Sequence, residues 1–181
     1  MTNLSASKSA EQISKRLPVV SFLHLQEIDP LVLLHHMSDH RIARHLPLLE
    51  MGWDGERIAN FVRQKEQCWA RDGLGHWAIL IDQAYAGWGG FQKEGGDWDF
   101  GLVLRPEYFS LGRVIFEEAL GWLAAHRDVG EVTFLLPQSR SRRVPERLGA
   151  KFRGEVTYAG TCFTKWSLAV PTKLESGRAL A

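Results

Sequence analysis

The stretch from Gly101 to Val114 holds the residues whose types and spacing best suit chemistry. An apolar run, Gly101–Leu104, enters a short loop that contains Ser110 and Gly112, and a helical pattern follows. The first amides of a helix have no intrahelical partner and lie at the positive end of the helix dipole, so they can hold phosphate oxygens where the backbone comes close. Gly112 permits that approach, and Ser110 adds a hydroxyl donor. Taken alone, the segment still favours an ordinary strand–loop–helix connection.

The elements before this segment begin with an apolar, β-branched run that predicts a strand over Leu17–Gln26. Pro30 then opens a first helix, because proline is tolerated in the first turn. Asp54 is a plausible N-cap for a longer helix from Gly55 to about Arg71, in which apolar residues recur at helical spacing.

The spacing of the apolar residues then changes from the helical period to the two-residue period of strands. Three short β runs are separated by Asp82-Gln83 and by Gly95-Gly96, which predicts an antiparallel meander. A helix over 113–126, a strand over 131–137, a short basic helix ending at Gly149 and a hairpin over 151–170 complete the order β-α-α-β-β-β-α-β-α-β-β. This order predicts one mixed α+β domain over 17–170, with polar tails at 1–16 and 171–181.

Composition narrows the class of protein. The 181 residues are 45% hydrophobic, enough for a core without disulfide or metal, and 22 basic against 21 acidic residues leave a net charge of +1. A nucleic-acid partner would require a stronger basic excess. The two cysteines, Cys68 and Cys162, fit a reducing compartment, and neither a secretory leader nor a membrane-length apolar run is visible. We expect a soluble, cytoplasmic protein without nucleic-acid or membrane partners.

Two motifs together resemble a known family. Residues 99–114 (DFGLVLRPEYFSLGRV) align without a gap with the pattern E-I-G-Y-x-L-x-P-E-Y-W-G-K-G-Y-A, and residues 138–150 (QSRSRRVPERLGA) are similar to N-x-x-S-x-R-V-L-E-K-L-G-F. Both patterns are typical of the GNAT superfamily of N-acetyltransferases, in the branch with the ribosomal-protein N-terminal acetyltransferases. The resemblance implies a seven-stranded, splayed, mostly antiparallel sheet flanked by about four helices.

The resemblance also implies how acetyl-CoA would bind. The pantetheine arm would add to the exposed edge of the fourth strand, and amides at the start of the following helix would hold the pyrophosphate. The residues that correspond to these contacts are Leu102, Val103, Leu104, Phe109, Ser110, Leu111, Gly112, Arg113, Val114, Gln138, Ser141 and Arg143. Gln138 replaces the family's usual asparagine, and Val114 stands where a glycine or alanine is usual.

By the same resemblance, Asp99 takes the place of the family's catalytic glutamate. It would accept the proton of the amine through a bridging water, with Asp97 and Glu94 as competing carboxylates. A strand amide near Val103 would hold the oxyanion, and Ser141 would protonate the leaving thiolate, because Pro145 stands where many members have a tyrosine.

The acceptor side of the site is less defined by the sequence. His35, His36, His40 and His45 lie close together, but their spacing lacks a second ligand cluster, and we expect no metal. The family's acceptor cleft implies contacts from Arg41, His45 and Trp88, although packing or solvent exposure is the more common reason for such residues.

The sequence therefore predicts an acetyl-CoA-dependent N-acetyltransferase acting on a primary amine, either a protein N-terminus or a small molecule. The alternative is a catalytically degenerate acyl-CoA-binding module of the same fold. Either would be a monomer or a homodimer, in which the C-terminal strand 161–168 could pair between protomers.

Overall fold

A computed structural model describes residues 17–43, 52–138, 141–158 and 160–171. Within these ranges seven strands form one sheet in the order β1-β2-β3-β4-β5-β7-β6. The strands are β1 (Val20–His24), β2 (His76–Ile81), β3 (Ala84–Glu94), β4 (Asp97–Leu104), β5 (Glu131–Pro137), β6 (Lys151–Tyr158) and β7 (Thr161–Ala169). The α-helices are α1 (Pro30–Met37), α2 (His40–Ala43), α3 (Gly55–Asp72), α4 (Gly112–His126) and α5 (Arg143–Arg147). The predicted mixed sheet and its element order are confirmed.

Local chemistry explains where several elements begin and end. The Asp54 carboxylate accepts a 2.8 Å hydrogen bond from the Arg57 amide and caps α3, which ends at Gly73 with φ of 68°. The β2–β3 turn places Asp82 and Gln83 at positive φ, and both glycines of the β3–β4 turn are also left-handed. These are the two hairpins that the sequence predicts.

Helices cover both faces of the sheet. On one face α4 packs its buried stripe, which includes Phe116, Leu120 and Leu123, against the aromatic core of the central strands. On the other face α1 and α3 cover Trp88 and Val103 of β3 and β4. Because alternate residues of a strand face opposite sides, each central strand contributes to both cores.

The central strands β4 and β5 are parallel but pair over only two positions. Asp99 lies opposite Thr133 and Phe100 opposite Phe134, and beyond them β4 continues to Leu104 without a β5 partner. Phe116 of α4 contacts both aromatic rings of the second pair, with centroid distances of 4.7 Å to Phe100 and 5.5 Å to Phe134. The sheet is therefore split from residue 101 onward, which confirms the expected splay.

Some boundaries differ from the prediction. Strand β1 begins at Val20 rather than Leu17, because the Val19 amide bonds to the Asp82 side chain at 3.1 Å in the adjoining turn. Helix α4 begins at Gly112, and Val114 is half-buried, outside the buried stripe.

The C-terminal strand corrects a further expectation. Strand β7 lies inside the sheet, paired to β5 on one side and to β6 on the other. It has no free edge with which to pair a second protomer, and β6 is the outer strand at this end.

Candidate active site

The gap between β4 and β5 is lined by peptide groups of β4. The Arg105 amide donates to Ala86 of β3 at 2.8 Å, and the Val103 carbonyl lies against Gly87 of the same strand. Successive residues of a strand direct their peptide groups to opposite sides, so those of Leu102 and Leu104 point toward the gap. Of the three backbone positions that the resemblance assigns to the pantetheine arm, Leu102 and Leu104 therefore face the gap, whereas the peptide group of Val103 is directed at β3.

Asp99 lies where β4 and β5 begin to separate. Its carboxylate accepts a 2.8 Å hydrogen bond from the Thr133 hydroxyl, and it is otherwise largely removed from solvent. Burial raises the pKa of Asp99 to about 6, with smaller contributions from Glu94 and Asp97 in the same direction, while the Thr133 bond and Lys165 lower it. A carboxylate with this pKa is suited to accepting a proton near neutral pH.

The competing carboxylates are more exposed and have other partners. Asp97 forms a 2.7 Å ion pair with Lys165 of β7 and is largely exposed. Glu94 is exposed at the end of β3 and accepts from the Gln92 amide at 3.0 Å. Of the three, Asp99 alone combines burial with a position at the gap.

A polar row continues from Asp99 across the sheet. Gln92 of β3 lies directly opposite Asp99, so their side chains share one face of the sheet. The Gln92 carbonyl oxygen accepts a 2.9 Å hydrogen bond from Lys65 of α3. The Lys65 ammonium also lies over the rings of Phe61 and Trp88, at 5.7 and 5.5 Å. Lys65 is not among the predicted site residues, although a lysine on the apolar stripe of α3 is a visible signal in the sequence.

His76 is a second residue that the sequence analysis missed. Its side chain is only 7% exposed, its ring lies 5.4 Å from that of Trp88, and its Nδ1 is buried without a hydrogen-bond partner in the described residues. The Nε2 atom lies over Gly101, where a Cβ would meet it at 3.5 Å. Burial, followed by the nearby Lys65 charge, holds the pKa of His76 well below its usual value, so the ring is neutral. The sequence feature that could have identified His76 is its place at the start of an otherwise apolar strand.

The loop before α4 forms a short 3-10 helix, Pro106–Leu111, that runs into the first turn. Phe109, Ser110 and Arg113 are exposed, and no side chain caps the helix at Leu111. Gly112 has φ of −54° and ψ of −37°, which any residue can adopt. The glycine is thus not required by the backbone. A Cβ at this position would lie 3.7 Å from the Leu102 side chain and 3.9 Å from the Leu104 side chain, between α4 and β4.

The second predicted motif lies after β5. The Gln138 amide donates to the Cys162 sulfur at 3.1 Å, and the Ser141 oxygen accepts from the Arg143 amide at 3.3 Å. All three predicted residues are exposed. The Ser141 hydroxyl hydrogen is not used by this bond, so it is still available as a donor.

The predicted acceptor contacts are less uniform. Arg41 is exposed and binds the Asp39 carboxylate, with a shortest distance of 2.6 Å. Trp88 is 8% exposed, and its indole nitrogen donates to Met37 at 3.2 Å, so most of this side chain is core. His45 lies outside the described residues.

Of the predicted histidine cluster, His36 is packed in the core, whereas His35 and His40 are exposed. His36 is buried and its Nδ1 lies 2.9 Å from the Tyr85 hydroxyl, and burial lowers the pKa of His36 to about 4. Among residues 17–43, 52–138, 141–158 and 160–171, no group of three or more His, Cys, Asp or Glu side chains is placed to hold a metal ion. No helix in those ranges has the length and apolarity that crossing a bilayer requires.

Comparison with known proteins decides the fold. RimL, the ribosomal L7/L12 alpha-N-protein acetyltransferase solved with coenzyme A, superposes with a TM-score of 0.67 at 12% identity, covering 83% of this chain and 94% of that chain. The spermidine N-acetyltransferase of Vibrio cholerae, solved with coenzyme A and spermine, gives 0.64 at 11% identity, covering 84% and 95%. The chain has the GNAT fold.

A third structure agrees with this assignment. The GNAT-family acetyltransferase of Streptococcus pneumoniae superposes with a TM-score of 0.59 at 13% identity, covering 86% of this chain and 100% of that chain. No protein-family model and no curated protein sequence matches the chain. The likeness in structure therefore establishes the GNAT fold that the two sequence motifs imply, and the activity of this chain is a separate question.

Proposed function

We propose that the protein is an N-acetyltransferase that moves an acetyl group from acetyl-CoA to a primary amine. The observation that carries this proposal is the position of Asp99, a half-buried carboxylate with a pKa raised to about 6 at the point where β4 and β5 separate. Coenzyme A bound to GNAT structures such as RimL supports the choice of acyl donor.

The first step of the proposed reaction is removal of a proton from the substrate ammonium. An alkyl ammonium has a pKa near that of a lysine side chain, about 10, and only the neutral amine can attack. Asp99 accepts this proton through a water molecule, and the Thr133 hydroxyl holds the carboxylate in place.

The second step is attack of the amine nitrogen on the thioester carbonyl carbon. The negative charge that develops on the carbonyl oxygen requires a fixed donor, and the peptide N–H of Leu102 is our candidate because it is directed toward the gap. The carbon–sulfur bond then breaks, the attacking nitrogen releases its second proton to solvent to give the neutral amide, and the thiolate takes a proton to give free coenzyme A. Ser141 remains our candidate for that donor, since its hydroxyl hydrogen is not engaged in the bond to the Arg143 amide.

The cofactor would lie between the separated strands. Its pantetheine arm would bond to the free peptide groups of Leu102 and Leu104, and its pyrophosphate would lie at the start of α4, near Ser110 and Gly112. Gln138 and Arg143, which are exposed beyond the end of β5, are candidates for contacts to the arm and the phosphates.

The test is to measure acetyl-CoA binding by calorimetry and release of free coenzyme A with a panel of amines. The Asp99→Asn variant should lower kcat by about 100-fold or more while leaving acetyl-CoA affinity within about twofold, because general base catalysis contributes on that scale. Asp97→Asn is the matched control, since Asp97 lies two residues earlier on the same face but is exposed and paired to Lys165. It should retain turnover.

Two results would contradict the proposal. Unchanged kcat in the Asp99→Asn variant would remove Asp99 from the mechanism. Binding of acetyl-CoA without release of coenzyme A for any amine would instead identify the chain as an acyl-CoA-binding module. A complete lack of affinity for coenzyme A and its acyl derivatives would exclude both.

A further inference from the structure

Lys65 is a half-buried cation for which the described residues provide no anionic partner. Its ammonium bonds to the neutral Gln92 side chain at 2.9 Å, and no carboxylate of the described residues lies within 4.0 Å of it. Cys68 and Glu94 are the acidic groups whose interaction favours the charged form of Lys65, and the Glu94 carboxylate accepts a hydrogen bond from the Gln92 side-chain amide. Burial lowers the pKa of Lys65 below its usual value, so part of the cost of removing this cation from water is not compensated.

Aromatic rings surround this ammonium. It lies over Phe61 and Trp88, and Phe61 in turn packs edge-on against Trp53 and Trp88, at 5.8 and 4.9 Å between centroids. The Trp53 indole N–H is itself buried without an acceptor among the described residues. One donor of this aromatic cluster, the Trp53 indole, therefore lacks an acceptor, while the Lys65 ammonium has only a neutral acceptor, and an anionic ligand would neutralise its charge.

Gln92 connects Lys65 to Asp99, the proposed general base, and so places Lys65 near the proposed reaction. Gln92 binds Lys65 and lies directly opposite Asp99 on the neighbouring strand, where facing Cβ atoms are about 5 Å apart. The ammonium of Lys65 and the carboxylate of Asp99 thus flank the same residue on one face of the sheet. A ligand held by both would carry a negative group and an amine a short distance apart.

We infer that Lys65 binds the carboxylate of the acceptor, and that the acceptor is a small α-amino acid with an apolar side chain. This inference rests on the proposed acetyl transfer and specifies its second substrate. The amine faces Asp99, the carboxylate pairs with Lys65, and the apolar side chain packs against the aromatic rings. The Lys65 charge also disfavours polyamines, because a second ammonium would be repelled.

The experiment is equilibrium binding to the full-length protein loaded with coenzyme A, followed by turnover with acetyl-CoA. The probes are phenylalanine, leucine and methionine, each compared with its carboxamide and its decarboxylated amine, with spermidine as a polycation. The wild-type protein should bind at least one amino acid 10-fold or more tightly than the corresponding carboxamide and decarboxylated amine, neither of which has a carboxylate. Lys65→Met should abolish this preference, mainly through KM in turnover, and Lys65→Arg should restore part of it.

Lys93→Met is the matched control. Lys93 also lies over an aromatic ring, that of Trp98 at 5.2 Å, but it follows Gln92 on β3 and points to the opposite face. Its loss should leave the preference unchanged. Thermal unfolding of the variants should separate a binding effect from a loss of folding.

The outcomes distinguish this inference from the proposed function. Binding that depends on Lys65 without any release of coenzyme A would support the anion site and contradict the transferase. Acetylation of the decarboxylated amines or spermidine as efficiently as the amino acids would support the transferase and overturn this inference. Failure of all three amino acids to bind, or equal weakening of every probe by Lys65→Met, would also overturn it.

Discussion

The hydroxyl of Thr133 on β5 donates a 2.8 Å hydrogen bond to the carboxylate of Asp99 on β4. The two residues are direct partners in the short parallel ladder that joins the two strands. Burial raises the pKa of Asp99, and this hydrogen bond opposes the rise because it stabilises the charged form. The bond therefore both orients the proposed base and adjusts the pH at which it accepts a proton.

Replacing Thr133 by valine should move the pH dependence of catalysis. Without the hydroxyl, the charged carboxylate loses its donor, and the pKa of Asp99 should rise above its value of about 6. The acid limb of the kcat/KM profile, which falls as pH decreases through that pKa, should then move to higher pH. The profile can be measured from coenzyme A release between pH 5 and 9. Thr133→Ser keeps a hydroxyl and should retain the wild-type limb, and an identical limb in the valine variant would contradict this role.

The raised pKa also predicts how stability depends on pH. A carboxyl group whose folded pKa of about 6 exceeds an unfolded value near 4 binds protons more strongly when folded. Asp99 should therefore lower the free energy of unfolding as pH rises from about 4 to about 6, with no further change above that window. Asp99→Asn lacks this contribution. Urea unfolding of both proteins at pH 4.5 and 7.5 should show the variant gaining relative stability at the higher pH, and a pH-independent difference would contradict the assigned pKa.

Two glycines that pack against β4 should respond differently to alanine. A Cβ at Gly89 would lie 3.0 Å from the Leu102 Cα and still closer to the Gly101 carbonyl, which are backbone atoms of β4. Gly89→Ala should therefore lower the free energy of unfolding by about 1–3 kcal/mol, as overpacking does. Denaturant unfolding of the variant and the wild type measures this difference, and equal stability would show that β4 moves away at little cost.

Gly112→Ala should instead keep the stability of the wild type, because its Cβ would meet only side-chain atoms at 3.7 Å and beyond. We expect this variant to bind acetyl-CoA more weakly, since the methyl group adds bulk to the first turn of α4, where the pyrophosphate would lie. Calorimetry measures the affinity. Wild-type affinity in a fully folded variant would show that the phosphates do not need the glycine.

The N-cap of α3 gives a prediction about the helix that carries Lys65. Asp54→Ala removes the acceptor of the Arg57 amide and should lower the free energy of unfolding by about 1 kcal/mol. Asp54→Ser should recover most of that loss, because serine is also a good cap. Chemical denaturation measures both, and equal stability of the alanine and serine variants would show that the cap contributes little.

Much of the fold could be predicted from local signals. The cap at Asp54, the left-handed turn at Gly73 and the turns at 82–83 and 95–96 each depend on the chemistry of one or two residues. The strand–loop–helix segment from Gly101 to Val114 could be predicted because residues 99–114 resemble a motif of the GNAT superfamily. Its position relative to the rest of the sheet followed from the order of the elements.

The missed features depend on contacts between distant parts of the chain. Lys65 and Gln92 are 27 residues apart, and their bond forms only when α3 packs on β3. The direction of the Val103 peptide group depends on the register between β3 and β4, which composition does not specify. The interior place of β7 similarly reflects strand order rather than the residues of that strand.

The strands β4 and β5 are joined at only two paired positions, and this junction divides the sheet into a four-stranded part (β1–β4) and a three-stranded part (β5, β7 and β6). Few backbone bonds cross this junction, so side-chain packing contributes to the angle between the two parts, and Phe116 of α4 contacts Phe100 on one side and Phe134 on the other. The volume of this buried ring therefore contributes to the width of the cleft. A smaller side chain at position 116 would remove ring contacts across the β4–β5 junction, so the angle between the two parts of the sheet would vary more. Substrate alignment would then worsen although every polar group of the site is still present.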